Sequence, residues 1–515
     1  MPSTLRRAAA AVTALLLALL VPVTAGQASA AARAPVPPDR VAAMDAYVRE
    51  RMSATRTPGL AYAVVGPDGP VHTRSWGTDG HGEPVTDATP FLWGSVAKPI
   101  AATAVMTLVQ DGRLQLDDRV ADHLPAFRFG GPGHAGEVTV HHLLGHTAGL
   151  PESATFEVAD CVDADCPDAT RRLSALDGAR PLGPPGTTYA YTSAGYLVLA
   201  ALVESVTGRP FADHLKDSVL RPAGMNGAIA DRASARQRDL PPGHQLLWGV
   251  PSAIVDGVDD AGAAYGYTGG DLNDLAGFAA LQLRSGKTAD GGSVLTSESV
   301  SLMRQEGRLH PSGAGTGYGL GWRLGGLESP LDTAVWHTGA TPGYSAMVFL
   351  LPDRDLALVL QQNLHGLLHD SAVMEVGFGA ARILAGAAAA DAPAATPYYA
   401  TVGALTALAV LLLAGSAHAY RLLVRPAARR PRTASALLWS LVGVTPVVAL
   451  VAALASMGAG PLWTWTPDAF MALCVAAVAG VAVTALRWGA VGVAVRRRGA
   501  ARGEREAAPK SVRQV

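Results

Sequence analysis

The chain has 515 residues, of which 49% are hydrophobic and only 16% are charged, and its formal net charge is −1. A charge this close to zero argues against a nucleic-acid partner, because phosphate binding needs a basic surface. Soluble domains carry about 25% charged residues, so the low charged fraction indicates membrane segments, and the length allows two or three domains.

The first thirty residues have the layout of an export signal. Arg6 and Arg7 precede the apolar run 8–23, and an A-x-A site follows at 28–30. This order of charge, apolar run and cleavage site predicts a signal peptide over 1–30. The alternative is a first membrane anchor that is never cut, although the apolar run is short for a segment that spans a bilayer.

Helix-like and strand-like patterns alternate between residues 34 and 385. In chain order they are an amphipathic helix over 38–53, a hairpin over 59–65 and 71–76, late strands over 334–337, 344–351 and 356–360, and a helix over 367–384. Strands near both ends with helices between them predict an α+β domain over 34–385. Its expected architecture is αβα layers, with one antiparallel sheet flanked by helices.

The segment WGSVAK at 93–98 opens a long helix-like run. Its spacing puts Ser95 and Lys98 on one face of that helix, one turn apart. A neighbouring amine can help to deprotonate the serine hydroxyl, and the free N–H groups at a helix start favour negative charge. Alone, the pattern also fits an exposed serine and a surface lysine on an ordinary helix.

Three histidines follow, His141, His142 and His146. The last two are four residues apart and could be drawn as metal ligands. The H-E-x-x-H pattern is missing, however, and a serine nucleophile needs no metal. We therefore expect structural hydrogen bonding near the site, with no metal and no cofactor.

Two cysteines, Cys161 and Cys166, lie close together in a polar, Asp-rich loop, and Cys474 lies in an apolar stretch. In an exported protein the first two could close a small disulfide ring, and the alternative is two free thiols.

Two further motifs come later in the chain. YTS at 191–193 precedes an apolar helix-like run, and a phenol placed near the serine and lysine could ionise more easily and act as a base. HTG at 337–339 ends a strand, where glycine would let a substrate lie against the strand backbone.

The last part of the chain is apolar and rich in arginine. A linker over 386–397 leads to three predicted membrane helices within 398–488, and a basic tail covers 489–515. The helices are expected at about 400–420, 434–457 and 470–486, each close to the roughly 20 residues that cross a bilayer.

The arginines of this region decide the expected orientation. They crowd the first connection and follow the third helix, whereas the second connection has no Lys or Arg but carries Trp463 and Trp465. The positive-inside rule therefore predicts a cytoplasmic C-terminus and a catalytic domain on the extracellular side of the cell membrane. The alternative is that the helices are buried in a soluble domain.

The motifs resemble those of a known family. S-x-x-K, Y-x-N and K-T-G mark the serine β-lactamases and penicillin-binding proteins. The sequence is similar to that family, most closely to its class C branch and the related esterases and D-aminopeptidases. The matching segments are HHLLGHTAGLP at 141–151, YTSAGYLVL at 191–199, YGLGW at 318–322 and WHTGATPGY at 336–344, so that roughly 38–385 is covered.

The resemblance implies a β-lactamase/transpeptidase-like fold and a role for each matching residue. Ser95 attacks a carbonyl and becomes acylated, and Lys98 and Tyr191 move the proton, Tyr191 as the base that later activates water. The backbone N–H groups of Ser95 and Ala340 form the oxyanion hole. The residues around the substrate are Ser193, His337, Thr338 and Gly339.

Two departures from the family pattern bear on the substrate. Ser193 stands where the family usually has Asn, and His337 stands where it often has Lys. A histidine is at most partly charged near pH 7, so a penicillin carboxylate would be held less firmly and β-lactam hydrolysis is expected to be weak or absent. The expected substrates are small molecules or peptides with an amide or ester bond, related to D-amino-acid peptides or peptidoglycan.

Other readings stay open. Three helices after an exported peptidase domain also resemble the membrane-bound prodrug-activating peptidases. From a different class, the chain could be a penicillin-binding sensor or receptor that is acylated and does not turn over, although the short tail leaves no room for a signalling domain. A scaffold without activity is disfavoured because serine, lysine and tyrosine are all present.

Overall fold

The structure is a computed structural model that describes residues 36–163, 165–305, 316–424 and 433–507. The predicted signal peptide over 1–30 lies outside the described residues, as does the end of the predicted tail. The strands are β1 (Gly59–Gly66), β2 (Gly69–Gly77), β3 (Phe91–Leu92), β4 (Gly243–Leu247), β5 (Val250–Val255), β6 (Gly269–Gly270), β7 (Thr316–Tyr318), β8 (Arg323–Gly325), β9 (Val335–Thr341), β10 (Tyr344–Leu351) and β11 (Leu356–Gln362).

Helices flank these strands and follow them. In the catalytic region they are α1 (Pro38–Thr55), α2 (Ala97–Gln110), α3 (Val120–His123), α4 (Gly131–Ala135), α5 (Val140–Leu144), α6 (Ala154–Val158), α7 (Ala169–Arg172), α8 (Ser193–Thr207), α9 (Phe211–Leu215), α10 (Arg232–Gln237), α11 (Leu272–Leu283), α12 (Ser297–Gln305) and α13 (Asp370–Leu384). The C-terminal helices are α14 (Thr396–Val424), α15 (Thr433–Met457), α16 (Ala459–Trp465) and α17 (Pro467–Ala507).

One seven-stranded antiparallel sheet organises the catalytic region, in the order β2-β1-β11-β10-β9-β8-β7. The N-terminal hairpin thus pairs with the last strand, as the sequence predicts. Alternate side chains of β1 enter different cores: Ala61 and Ala63 face one, whereas Leu60, Tyr62 and Val64 face the other. Because successive residues of a strand point to opposite faces, the sheet is covered on both sides.

The two cores define the layers. On one face, α1 and α13 pack against the sheet, with Met44, Val48 and Leu384 fully buried. On the other face, a larger core contains α2, α8 and α11, whose apolar residues are buried around almost the whole helix. The predicted α+β fold with αβα layers is therefore confirmed.

Three helices of the C-terminal region, α14, α15 and the first 37 residues of α17, are long and apolar enough to cross a membrane. The third extends well beyond the predicted end at 486, because α17 has 41 residues and continues through the arginine-rich segment. At about 1.5 Å per residue it is roughly twice as long as the hydrocarbon core is thick. Ala, Arg and Glu are good helix formers in water, so the helix continues past the apolar stretch into the predicted basic tail.

The membrane helices are joined to the catalytic region by a small apolar cluster. Leu246 of β4, Leu364 and Val373 pack there against Tyr398 of α14 and Ala469 of α17. Tyr398 and Ala469 are close to the N-terminal ends of α14 and α17, so these two helices begin at the cluster. The catalytic region therefore contacts one end of the helix bundle.

Candidate active site

The proposed nucleophile lies on a sharp turn that is pressed against β9. Ser95 is the middle residue of a short 3-10 helix, Gly94–Val96, just before α2. A Cβ atom on Gly94 would lie 2.1 Å from the backbone nitrogen of Ala340, and one on Gly339 would lie 2.6 Å from the backbone nitrogen of Ser95. Gly94 also has a φ of 54°. Only glycine permits this approach, which brings two N–H groups to the region where an oxyanion hole would lie.

Lys98 lies one turn after the serine and is 0% exposed. Its Nζ donates hydrogen bonds to Ser95 Oγ at 3.1 Å, Ser193 Oγ at 3.1 Å and the Tyr265 carbonyl at 2.9 Å. Burial, followed by the positive charge of Arg323, lowers the pKa of Lys98 to about 7. A lysine with this pKa is about half neutral at pH 7 and largely neutral above it, so its amine can take the proton of the serine.

Tyr191 lies beside the same amine, just before α8. Lys98 Nζ is 5.0 Å from the centroid of the Tyr191 ring, and the ring of His146 packs 4.4 Å away on centroids. Burial raises the pKa of Tyr191, although Arg323 and a hydrogen bond with Ser95 act in the opposite direction. Burial of the phenol therefore acts against its ionisation in this structure, and the role of Tyr191 as a base stays a prediction. A neutral phenol beside the serine and the amine is suited to relay a proton.

The histidines at 142 and 146 take part in structural hydrogen bonds. Nδ1 of His142 accepts from the backbone N–H of Thr139 at the start of α5. His146 is 3% exposed, and its Nδ1 accepts from the backbone N–H of Thr192. Burial and the nearby charge of Lys98 lower the pKa of His146 well below its usual value. A neutral His146 thus supports the tyrosine without adding charge.

A cleft of about 490 Å³ opens above the serine and the tyrosine. Among the residues that the sequence predicts for the site, the ones that line it are Ser95, Tyr191, Ser193, Thr338, Gly339 and Ala340. Lys98 lies beneath this surface and is hydrogen-bonded to two of the lining residues, Ser95 and Ser193. The structure therefore brings the serine, lysine, tyrosine and the end of β9 to one place.

His337 does not line the cleft, which corrects the sequence-based placement. It is 1% exposed, its Nδ1 lies 2.6 Å from the Thr338 carbonyl, and its Nε2 lies 3.1 Å from the hydroxyl of Tyr318. Burial, followed by the charges of Arg323 and Lys98, lowers the pKa of His337 well below its usual value. A buried, neutral imidazole can donate to the carbonyl and accept from the phenol, but it offers no charge to a substrate.

Arg323 supplies the positive charge at the cleft surface instead. It begins β8, lines the cleft, and places its guanidinium carbon 5.2 Å from the centroid of the Tyr191 ring. The sequence analysis missed this residue, although it directly follows the YGLGW motif at 318–322. The YGLGW segment was already matched to the family, so the charged residue directly after it could have been proposed as a site residue.

Asp160 is the second residue that sequence reasoning missed. It lines the cleft, and its carboxylate accepts hydrogen bonds from the hydroxyl of Tyr267 at 2.9 Å and from Nε1 of Trp465 at 2.8 Å. Burial raises the pKa of Asp160, against the effect of these two hydrogen bonds. Directly after it, Cys161 is bonded to Cys166, with an S–S distance of 2.05 Å.

Comparisons with known proteins agree with this geometry. Residues 44–376 match the family described as Beta-lactamase. The chain is 33% identical over 333 residues to "Penicillin-binding protein 4" of Amycolatopsis lactamdurans, covering 62% of this chain and 85% of that protein. It is 27% identical to "Unguisins hydrolase ungD'" of Aspergillus campestris, covering 61% of this chain and 60% of that protein.

A solved structure shares the fold. The crystal structure of SurE with D-Leu superposes with a TM-score of 0.54 at 28% identity, covering 69% of this chain and 78% of that one. The family match covers well over half of the chain, so this protein belongs to the Beta-lactamase family, together with the penicillin-binding protein homologues. It is a serine hydrolase by family, with three helices at its C-terminus that suggest membrane anchoring.

Proposed function

We propose that the chain is a membrane-anchored, extracytoplasmic serine hydrolase that acts through a covalent acyl-enzyme on amide or ester bonds. The observation that carries the proposal is the buried Lys98 amine, which is hydrogen-bonded to Ser95 and has a pKa near 7. An activated serine needs such a base next to it. The two backbone N–H groups of Ser95 and Ala340 would stabilise the developing oxyanion.

The proton path follows from the same contacts. Neutral Lys98 takes the proton of Ser95 as the hydroxyl oxygen bonds to the substrate carbonyl. When the bond breaks, Tyr191 gives its proton to the leaving nitrogen or oxygen and takes one from the Lys98 ammonium, so that both groups return to their neutral forms. Water then attacks the acyl-enzyme, with Lys98 and Tyr191 again moving the proton, and Ser95 is released.

Substrate class rests on the cleft surface. The similarity to a hydrolase and to a structure with a bound D-amino acid supports D-amino-acid peptides, peptidoglycan-related or prodrug-type amides, and esters as substrates. His337 is neutral and buried, and the cation at the cleft is Arg323. We propose weak or no β-lactam hydrolysis, since a serine stands at 193 where the family usually offers an amide.

Orientation rests on two separate features. The predicted signal peptide directs the catalytic region outward, and the arginines after the first and third membrane helices favour the cytoplasm. The catalytic region contacts the opposite end of α14 and α17, which supports this placement.

The experiment compares the purified full chain with the Ser95→Ala variant in detergent. Both are incubated with p-nitrophenyl acetate, D-alanyl-p-nitroanilide, nitrocefin and a fluorescent penicillin. We expect ester or D-amino-acid amide turnover that falls at least about a thousandfold in Ser95→Ala, with slow or no loss of nitrocefin.

Other results would replace the proposal. Stable penicillin labelling at Ser95 without turnover of any substrate would favour the sensor. Rapid nitrocefin hydrolysis would overturn the substrate assignment. Equal turnover by wild type and Ser95→Ala would remove the mechanism itself.

A further inference from the structure

The short connection between the second and third membrane helices reaches the catalytic cleft. Helix α16 ends at Trp465, which lines the cleft together with Ser95 and Tyr191. The indole Nε1 donates a hydrogen bond to Asp160, and its ring meets that of His365 edge-on, with centroids 5.6 Å apart at 87°. A residue of the membrane region therefore forms part of the wall of the site.

Polar contacts hold this connection and the start of α17 against the catalytic region and against α14. Gln245 Nε2 donates to the Thr464 carbonyl at 2.7 Å. Asp468, which is 2% exposed, accepts from the Tyr398 hydroxyl at 2.7 Å and from the Trp248 backbone N–H at 3.0 Å. Such contacts on both sides of Trp465 fix its position, and an indole held in place can serve as a preorganised binding surface.

The end of the cleft around the indole carries apolar and polar side chains, and the polar ones include Asp160, His365 and Asp370. Leu367 and Met374 line the cleft as well, and Leu367 is 45% exposed. Trp465 and Leu367 expose apolar surface at this end of the cleft, whereas Met374 is 7% exposed and adds little, and covering such surface favours an apolar ligand group.

The sheet register and the position of the proton relay are the basis for assigning a part of the substrate to this end of the cleft. Arg323 pairs with Trp336, near the start of β9, and its guanidinium carbon lies 5.2 Å from the centroid of the Tyr191 ring. Ala340, near the end of β9, pairs with Ser345, which pairs in turn with Gln362, and Leu367 follows that strand. The proton relay must reach the leaving atom, so the leaving group lies towards Tyr191 and Arg323. The acyl portion then extends towards Trp465.

We infer that Trp465 determines specificity: with Leu367 and Met374 it forms an apolar subsite for the acyl portion of the substrate. The inference rests on the proposed function for the meaning of "acyl portion". It predicts that larger apolar acyl groups bind better than small ones, and that the membrane connection is needed for this preference.

The test uses the full chain in dodecyl maltoside, in the Ser95→Ala background, so that binding is measured without turnover. Calorimetry gives the affinities of N-octanoyl-D-alanine and N-acetyl-D-alanine. We expect the octanoyl ligand to bind at least about tenfold more tightly, because even two methylene groups buried on the indole give roughly that ratio. Trp465→Ala should reduce this ratio about tenfold, whereas Trp465→Phe should keep most of it.

The matched control is Trp463→Ala, because Trp463 lies on the same short helix and is 55% exposed. This variant should keep the wild-type ratio, which also corrects for partition of the octanoyl ligand into micelles. Equal affinities of the two ligands, an unchanged ratio in Trp465→Ala, or an equal loss of both affinities would each overturn the inference.

A parallel assay in the Ser95-containing chain separates the two proposals. With p-nitrophenyl octanoate and acetate, Trp465→Ala should lower kcat/KM mainly for the octanoate. If the binding ratio collapses as expected but hydrolysis does not depend on Ser95, the subsite stands and the proposed reaction fails.

Discussion

Arg172 and Lys98 are two buried cations near Tyr265, and their pKa values are shifted in opposite directions. Arg172 forms a two-pronged ion pair with Asp259, at 2.7 Å for both contacts, and the Asp259 side chain is 0% exposed. Burial acts to lower the pKa of Arg172, but the hydrogen bond and charge of Asp259 raise it overall. Lys98 contacts only neutral oxygen atoms within the described residues, and its pKa falls to about 7.

The difference separates a structural charge from a chemical one. Asp259 also accepts hydrogen bonds from the Tyr265 hydroxyl and from the backbone N–H groups of Cys161 and Ala261, so each of its two oxygens has at least two donors. A charge held in this way stays charged and fixes the loop beside the cleft. A buried lysine without a carboxylate partner loses its proton readily, which is the property that a general base needs.

The largest expected effect comes from removing the amine of Lys98, the buried cation without a carboxylate partner. Lys98→Met should lower kcat/KM for p-nitrophenyl acetate by about a thousandfold, because general-base assistance to Ser95 is lost. The measurement is steady-state hydrolysis by the full chain in detergent. Stability should fall less than in an Arg172 variant, since methionine leaves no buried charge behind.

The control for this variant is Lys287→Met, since Lys287 is exposed and far from the serine in sequence. It should retain wild-type activity. If Lys98→Met kept more than about a tenth of the activity, Lys98 would not be the base, and the contrast with Arg172 would lose its functional meaning.

Removing the paired cation should act on stability. Arg172→Met leaves Asp259 buried without its partner and should lower the free energy of unfolding by about 3–5 kcal/mol. The readout is the apparent Tm of the catalytic region, followed by circular dichroism in one detergent. The neighbouring Arg171→Met is the control, because the Arg171 side chain is 79% exposed and its pair with Asp168 is worth little. Equal Tm values for the two variants would contradict the contrast.

How far the sequence predicts the site depends on how local each contact is. Ser95 and Lys98 are one helical turn apart, so their spacing alone places them together. The hairpin and the apolar runs near both ends of the domain predict one antiparallel sheet, but they do not predict β7 and β8 or the order of all seven strands. The tyrosine and the end of β9 came from resemblance to a family, because no local pattern links them to the serine.

What the sequence could not predict is made by contacts between distant segments. Trp465 has the pattern of an interfacial tryptophan, and its hydrogen bond to Asp160 exists only because the membrane helices pack against the catalytic region. The direction of the Tyr191 pKa shift depends on burial, which a motif does not report. The placement of His337 failed for the same reason: its neighbours in the fold cover it.

The smallest expected effect is a shift in the pH dependence of kcat/KM, which reports the protonation of Lys98. Because only neutral Lys98 can accept the proton, kcat/KM should rise about tenfold per pH unit below a midpoint near 7 and level off above it. Arg323→Gln removes a repelling charge, so the ammonium becomes easier to form and the midpoint should move to higher pH. Asp160→Asn removes an attracting charge and should move the midpoint to lower pH. Profiles measured from pH 5.5 to 9 with p-nitrophenyl acetate distinguish these directions, and shifts of the same sign in both variants would show that the midpoint does not belong to Lys98.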